Sequence, residues 1–335
     1  MKLAGLFFCA SIAAAFPLTL QNSLDVKLER QGNSQIKATV TNFAGSGLNI
    51  LKHGSIFDNK PVEKARVYST SKLSMVYPNL NNLNQDSFVA IGAGESIEEI
   101  FDVAEFHNLA SGGSFTIWTD GVFQYAPEGT TNITGSIPFK SNSLKAEIDG
   151  AEASSIFKAS VARRAKVASS CSSKTNLPSA LSSCKSIAQK ASTAAKSGGS
   201  KLTEYFKSDS SSVRSTVANV FDKVASECGS TTGGNIIVEC NDVSNFCEGN
   251  IAYADTVIST VVFCPYWYTM ATSGGCHVDT QAGIVIHEFT HIPSVKGTDD
   301  YGAYGYEAVR ALTAAQNLNH ADTYHMYSNA INVGC

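Results

Sequence analysis

The chain has 335 residues, enough for two domains, and 43% of them are hydrophobic whereas only 16% are charged. The formal net charge of −4 excludes a chain-wide attraction to nucleic-acid phosphates. Beyond the N-terminus, no run reaches the roughly 18 apolar residues of a transmembrane helix. We therefore expect a globular protein that binds neither nucleic acid nor a membrane.

The first 15 residues have the pattern of a secretory signal peptide. Lys2 supplies the positive charge, and the apolar run at 3–14 is too short to cross a bilayer. Small residues at Ala13 and Ala15 favour cleavage after Ala15. The pattern predicts a secreted, extracellular protein.

The cysteine content agrees with secretion. Nine cysteines are present, and Cys9 would leave with the signal peptide. The others lie in the second half of the chain, at positions 171, 184, 228, 240, 247, 264, 276 and 335. An even number of cysteines in an oxidising compartment predicts disulfides. The chain contains no Cys-x-x-Cys pair that would indicate a structural zinc site instead. The residues alone leave on the order of 100 pairings open.

Residues 16–164 contain no cysteine and have the pattern of a β domain. Polar and apolar residues alternate over 24–29 and 35–41, as in half-buried strands. Further strand-like runs, separated by turn residues, lie at 65–68, 87–91, 97–103 and 114–118. Several short strands at this spacing predict a small antiparallel sandwich.

A dibasic pair, Arg163-Arg164, follows the β domain and precedes the cysteine-bearing part of the chain. In a secreted protein such a pair predicts a processing site. Cleavage after Arg164 would release a mature domain of residues 165–335 and leave residues 16–164 as a propeptide. The sequon at Asn132 is a candidate glycosylation site.

The second half begins with two helical patterns. Asn176 or Ser179 can cap a helix over about 178–196. A second amphipathic stripe follows over 213–224. Cys184 and Cys228 would lie one on each helix, so a disulfide between them is reasonable. The remaining predicted elements are strands near 235–240, 251–253 and 256–263 and helices near 307–318 and 321–331.

The segment His287-Glu288-Phe289-Thr290-His291 indicates a metal site. On a helix, two histidines four residues apart lie on one face, so both imidazoles can reach one metal ion. Glu288 lies about 100° round the helix from His287, which places it beside the metal, where a general base belongs. Catalytic Zn²⁺ usually takes three protein ligands, so a third must come from another part of the chain.

Two known classes of zinc peptidase suggest where a third ligand could lie. A histidine six residues beyond His291 would indicate a metzincin, but that position is Gly297. Glu307, from the next helix, would give a thermolysin-like site.

Aspartates offer further candidates for the third ligand. Asp299 and Asp300 lie in a glycine-rich loop after the helix. Because they are adjacent, they point opposite ways in an extended loop, and only one can ligate. Asp322 is another candidate ligand, with helix capping as the alternative role. His320 and His325 lie near it in sequence and are not expected to be ligands.

The loop after the helix resembles that of the deuterolysin, or aspzincin, family of fungal secreted metalloendopeptidases. That family pairs a His-Glu-x-x-His helix with a Gly-Thr-x-Asp loop ending in Tyr-Gly, and this chain has 297–300 as Gly-Thr-Asp-Asp, then Tyr304-Gly305. The resemblance implies Asp300 as the third zinc ligand, Glu288 as the general base and Tyr304 as an oxyanion donor. One residue more than in the tightest form of the motif precedes Tyr304, which leaves Tyr301 as the alternative donor.

The same resemblance implies a substrate pocket and a disulfide pattern. Asp322 would line a pocket for a basic side chain that follows the scissile bond, and the family is associated with cleaving basic proteins. The implied disulfides are Cys171–Cys240, Cys247–Cys264 and Cys276–Cys335, which leaves Cys184 to pair with Cys228.

We therefore predict an α+β protein, with a mainly helical, zincin-like catalytic domain and a small β-sheet, preceded by an all-β sandwich-like propeptide. We expect a monomeric, secreted endopeptidase with one Zn²⁺ per chain, made as a zymogen, that hydrolyses internal peptide bonds of proteins. The propeptide would assist folding and act as an intramolecular inhibitor. The alternatives are a thermolysin-like peptidase with a glutamate ligand and a non-enzymatic secreted binding module with a structural zinc.

Overall fold

The computed structural model describes residues 23–59, 62–68, 74–164, 171, 176–230, 234–242 and 244–335. The predicted signal peptide, residues 1–15, lies outside the described residues, as does residue 165, the first of the predicted mature domain. Within the described part of the chain, none of the helices has the length and the apolar composition needed to cross a membrane.

The N-terminal half consists mainly of antiparallel strands. They are β1 (Leu24–Arg30), β2 (Gln35–Asn42), β3 (Leu48–Leu51), β4 (Arg66–Val67), β5 (Ser74–Pro78), β6 (Phe88–Ile91), β7 (Ser96–Asp102), β8 (Gly113–Trp118), β9 (Asp120–Pro127), β10 (Gly135–Lys140) and β11 (Leu144–Ile148). Except for β5, they form three sheets, ordered β1-β2-β7, β10-β9-β3-β6 and β11-β8-β4. Side chains from all three sheets share one apolar core, so these sheets fold as a unit.

Alternating burial accounts for the strands that the sequence predicts. Every second side chain of β1 and β2 is buried, as the patterns over 24–29 and 35–41 indicate. The patterns do not predict β3 or β9, because all four residues of β3 and four successive residues of β9 are buried. Burial on both faces removes the period-two signal.

Helix α1, Gly150–Arg164, follows the last of these strands. Asp149 caps its start, since its Oδ1 accepts from the backbone N–H groups of Ala151 at 2.8 Å and Glu152 at 3.0 Å. The predicted dibasic site, Arg163-Arg164, forms the C-terminal end of α1. The bond after Arg164 leads to residue 165, outside the described residues.

Helices dominate the second half. They are α2 (Leu177–Ser197), α3 (Ser200–Phe206), α4 (Ser211–Gly229), α5 (Gln281–His291), α6 (Tyr306–Ala311), α7 (Ala314–Asn317) and α8 (Ala321–Val333). The helix predicted over 178–196 is α2, and it ends at Gly198, whose φ of +74° favours a residue without a Cβ. The stripe predicted over 213–224 is the buried face of α4, which packs on α2.

The single helix predicted over 307–318 is wrong, because two short helices, α6 and α7, occupy this region. Leu312, between them, has extended backbone with φ −72° and ψ 156°. Thr313 then caps α7 in a reciprocal capping box with Gln316. The cap interrupts a helix that the apolar stripe alone would continue.

A four-stranded sheet joins the two halves of the chain. Three of its strands come from the second half, β12 (Ile237–Glu239), β13 (Asn250–Asp255) and β14 (Thr260–Phe263), and the fourth is β5. The order is β12-β14-β13-β5, with β12 parallel to β14 and the other pairs antiparallel. The combination of helices and separate, mainly antiparallel sheets agrees with the predicted α+β class.

Four disulfides cross-link the second half. They are Cys171–Cys240, Cys184–Cys228, Cys247–Cys264 and Cys276–Cys335. These are the pairs that the family resemblance implies, and Cys184–Cys228 joins α2 to α4. All four lie between residues 171 and 335, so this part of the chain is held together covalently without the β domain.

Candidate active site

Helix α5 carries the paired histidines, and all 11 of its residues are buried. Thr280 caps the helix, because its hydroxyl accepts from the Gly283 N–H at 3.2 Å. The helix ends at His291, where Ile292 turns to extended backbone with φ −68° and ψ 130°. Pro293 explains this end, since the residue before a proline avoids the helical conformation. The histidine pair therefore lies on the last turn and a half of a rigid, enclosed helix.

Three side chains of the predicted site converge on one point. The Nε2 atoms of His287 and His291 are 3.0 Å apart. Asp300 Oδ1 lies 3.1 Å from His287 Nε2 and 3.2 Å from His291 Nε2. All three residues are buried, so two imidazoles and one carboxylate share a single enclosed point.

This arrangement suits a zinc ion. In a tetrahedral site with bonds of about 2.0–2.1 Å, neighbouring ligand atoms are separated by about 3.3 Å. The separations of 3.0, 3.1 and 3.2 Å between the three side chains are close to that value. Three protein ligands leave the fourth position of a catalytic zinc open. The residues present therefore fit the metal that the sequence predicts.

The other ring nitrogen of each histidine is held by an acceptor. His291 Nδ1 lies 3.0 Å from the backbone carbonyl of Thr298, and His287 Nδ1 lies 3.3 Å from Asp322 Oδ1. A carbonyl or a carboxylate can only accept, so both Nδ1 atoms carry the proton. Each Nε2 lone pair is then directed to the shared point, as in metal sites whose ligands are oriented by outer partners.

The loop at 297–305 brings Asp300 back under α5. Gly297, at φ +72°, makes the turn, and its N–H and that of Thr298 donate to the Thr290 carbonyl at 3.0 and 3.1 Å. Asp299 points away from the site, where its Oδ2 accepts from Asn319 Nδ2 at 2.8 Å. The two adjacent aspartates thus face opposite sides, as their spacing predicts.

Glu288 is fully buried beside the histidines. Among the described residues, neither of its carboxylate oxygens has a hydrogen-bond partner. Burial raises the pKa of Glu288 well above its usual range; the Asp300 charge adds to this effect and His287 opposes it. A buried, unpaired carboxyl with a raised pKa is suited to taking up and releasing a proton.

The charge around the histidines favours a cation. Burial lowers the pKa of His287, but the carboxylates of Asp300 and Asp322 outweigh it and raise that pKa to about 10. Burial likewise opposes ionisation of Asp300, yet the charges of His291 and His287 hold the pKa of Asp300 below its usual range. Two ionised carboxylates next to two imidazoles stabilise positive charge at the shared point, whether carried by protons or by a metal ion.

Asp322, at the start of α8, is fully buried under His287. Its Oδ1 accepts from His287 and from His325 Nδ1, which lies at 3.0 Å. Its Oδ2 accepts from the Gly305 N–H at 2.6 Å. The carboxylate thus orients a histidine and fixes the end of the 297–305 loop. Helix capping is not its role, because the N-cap of α8 is His320 and no side chain caps this end of the helix.

The two candidate tyrosines have different surroundings. The Tyr304 hydroxyl donates to the backbone carbonyl of Val76 at 2.9 Å, and its ring centroid is 6.4 Å from that of His287. The Tyr301 ring instead lies 4.0 Å from the guanidinium carbon of Arg66. Of the two phenols, Tyr304 is the one that lies beside His287.

The structure places one predicted candidate away from the site and brings other, unpredicted residues to it. Glu307, considered as a ligand, is exposed on α6 and belongs to neither of the two groups of metal-ligand side chains that the described residues form. Thr298 and His325, by contrast, position site residues. Tyr77 and Asp279 also lie at the site, where the Tyr77 hydroxyl donates to Asp279 Oδ1 at 3.0 Å. Thr298 belongs to the recognised motif, but no pattern in the sequence marks Tyr77.

Comparison with known proteins agrees with the site. Residues 2–335 match the family described as Deuterolysin metalloprotease (M35). A neutral protease 2 homolog of Colletotrichum graminicola is 42% identical over 99% of both chains. Penicillolysin of Penicillium citrinum is 38% identical over 96% of this chain and 95% of its own. A solved zinc peptidase from Grifola frondosa is 25% identical and covers 48% of this chain and 97% of its own, with a TM-score of 0.41.

The family match and the two sequence relatives span nearly the whole chain and disfavour both alternatives, the thermolysin-like peptidase and the non-enzymatic binding module. The relatives and the four disulfides indicate an extracellular enzyme. The chain belongs to the deuterolysin (M35) metalloprotease family, and it is a zinc-dependent metalloendopeptidase that acts on proteins and peptides.

Proposed function

We propose that the protein is secreted as the zymogen of a monomeric metalloendopeptidase, with residues 16–164 as the propeptide and residues 165–335 as the catalytic domain. The convergence of His287, His291 and Asp300 within 3.2 Å carries the catalytic part of this proposal. These three residues would hold one zinc ion. When bound in such a site, zinc acidifies water and polarises a carbonyl group.

The other catalytic roles fall to side chains of this chain. Glu288 accepts the proton of the attacking water and delivers it to the departing amine. Its oxygens are available for this transfer, since neither has a hydrogen-bond partner among the described residues. Tyr304 donates a hydrogen bond from its hydroxyl to the carbonyl oxygen as negative charge develops there. The same hydroxyl donates to a peptide carbonyl, that of Val76, in this structure.

We also propose that the enzyme prefers a basic residue after the cleaved bond and hence basic proteins. Two carboxylates lie beside His287, around the hydroxyl of Tyr77. Asp279 Oδ1 is 3.0 Å and Asp322 Oδ1 is 3.5 Å from that hydroxyl. A lysine or arginine of a substrate at this place would form charge-assisted hydrogen bonds with them.

Contacts with the 297–305 loop support the role of the N-terminal half as a propeptide. Arg66 forms an ion pair with Asp299, and Gln124 Nε2 donates to the Tyr304 carbonyl at 2.9 Å. A domain that holds this loop can assist the folding of the site and cover it. The dibasic pair at the end of α1 would then allow its release.

Removal of the metal tests the proposed function. The secreted, processed protein should lose its activity on casein after treatment with a chelator and regain it when zinc is restored. Intact mass and N-terminal sequencing should give a mature chain that begins at Ala165. Undiminished casein cleavage in excess chelator would contradict the proposal, as would a secreted product that keeps residues 16–164 and is fully active.

Replacing Asp322 by asparagine should weaken zinc binding about 10–100-fold, the usual effect of removing a partner that orients a ligand. An amide cannot accept on both sides, so either His287 Nδ1 or the Gly305 N–H loses its acceptor. Zinc affinity is measured by competition with a chelating dye. The control is Asp222→Asn, an isosteric change on the exposed side of α4. Equal affinities for the two variants would rule out an orienting role for Asp322.

A further inference from the structure

Strand β5 of the N-terminal half completes the sheet of the catalytic half. It pairs antiparallel with β13, with Met75 opposite Ala254 and Val76 opposite Tyr253. Without β5, β13 would be the edge of the sheet, since the strand order is β12-β14-β13-β5. An edge strand offers unpaired backbone groups that bind an extended peptide by strand addition.

The adjacent side chains of Val76 and Tyr77 in β5 point to opposite faces, as strand geometry requires. Val76 packs into a small apolar cluster with Phe246, Tyr253 and Val262. Tyr77 instead enters the active site and is 1% exposed. Its ring lies 4.5 Å from the His287 ring, at an interplanar angle of 88°. Tyr77 therefore fills the space directly beside a proposed zinc ligand.

The contacts of the Tyr77 hydroxyl show which pocket the ring occupies. It donates to Asp279 Oδ1 at 3.0 Å and lies 3.5 Å from Asp322 Oδ1. These are the carboxylates that we assign to the pocket for the residue after the cleaved bond. The buried phenol of Tyr77 contacts the two pocket carboxylates and the His287 ring. It therefore excludes any substrate side chain from this pocket.

The peptide bond before Tyr77 also lies where a substrate bond is expected. The Val76 carbonyl accepts from the Tyr304 hydroxyl at 2.9 Å, and Tyr304 is the proposed donor to the reacting carbonyl. A substrate whose reacting carbonyl occupied that place would put its next side chain where Tyr77 lies. The Val76 carbonyl and the Tyr77 side chain thus align β5 with a bound substrate in the same register.

We propose that Ser74–Pro78 is the inhibitory segment of the zymogen and occupies the cleft in the manner of a substrate. The Val76–Tyr77 peptide takes the place of the scissile bond, and Tyr77 closes the pocket beyond it. It follows that substrates bind as extended strands antiparallel to β13. This inference rests on the roles proposed above for His287, Tyr304 and the acidic pocket.

The test uses the full chain with Arg163→Ala and Arg164→Ala, which keeps the propeptide attached, and measures cleavage of a short fluorogenic peptide. Adding Tyr77→Ala should raise the activity at least about tenfold, as expected when a buried aromatic anchor is truncated. Tyr77→Phe keeps the ring and loses only the hydroxyl contacts with Asp279 and Asp322, so its gain should be smaller. The matched control is Tyr68→Ala, a tyrosine of the same half that is 72% exposed, and it should equal the parent.

Hydrogen exchange gives a second measurement that does not depend on the Tyr77 variants. In the full chain with Glu288→Gln, which cannot cut itself, the amides of β5 and β13 should exchange as slowly as those of β14. Rapid exchange in β5 and β13 with β14 still protected would overturn the inference.

The activities separate this inference from the proposed function. Wild-type protein that is inactive after processing, even with zinc supplied, would contradict the catalytic roles and with them the register of β5. A second outcome would overturn only the inhibitory role of β5. In that outcome the processed enzyme is active, but the unprocessed Tyr77→Ala chain is as inactive as the unprocessed parent.

Discussion

Replacing Glu288 by glutamine should leave the zinc content at one ion per chain and lower kcat on casein by about 10²–10⁴-fold, the usual contribution of a general base. The amide has the size of the carboxyl but cannot take up the proton of the water. It should also be tolerated in the fold, because the buried carboxyl that it replaces makes no hydrogen bond among the described residues. Metal analysis and steady-state kinetics on the same preparation check both parts.

The control for this substitution is Glu307→Gln, the same chemical change at an exposed position of α6. Its kcat and zinc content should match those of the wild type. A Glu288→Gln enzyme that retained zinc and cleaved casein at a rate comparable to that of the wild type would contradict the general-base role. Loss of zinc in the same variant would instead show that Glu288 supports the metal site.

Replacing Asp300 by alanine should abolish stoichiometric zinc binding and peptidase activity together. The site would keep only two imidazoles, and zinc in a catalytic site usually needs three protein ligands. Asp300 Oδ1 lies 3.1 and 3.2 Å from the two histidine nitrogens, so the substitution removes the carboxylate that both imidazoles share. Zinc per chain after dialysis against a weak chelator is the measurement.

Two matched variants make this result specific. Glu307→Ala tests the glutamate of the thermolysin-like alternative and should retain zinc. Asp299→Ala removes the neighbouring carboxylate, which faces Asn319 instead of the histidines, and should also retain zinc. The assignment of Asp300 is contradicted by zinc at wild-type levels in Asp300→Ala, and equally by zinc loss only in Glu307→Ala.

The histidine pair and its glutamate are readable from sequence because their geometry is local. A four-residue spacing on a helix sets the relative positions of His287 and His291 wherever the helix packs. The spacing also places Glu288 beside them. The end of the helix at Pro293 is similarly local, since it depends on the conformation allowed before a proline.

Other features needed either family resemblance or long-range packing. Residue patterns narrowed the third ligand to a few candidates, and the Gly-Thr-x-Asp motif then selected Asp300. The disulfide pairs followed the same route, except that Cys184 and Cys228 could be joined from two predicted helices. Helices α6 and α7 show the opposite case, because a capping box at Thr313 interrupts an apolar stripe that continues.

The sequence by itself thus predicted the paired ligands and the base and determined the class of chemistry, since these depend on spacings within one helix and one short loop. Only the tertiary structure decided what surrounds them. Asp322 reaches His287 across 35 residues, and Tyr77 reaches Asp279 across 202. Such contacts are set by how a sheet edge and two helices pack together, and no periodicity along the chain records which residues will meet there.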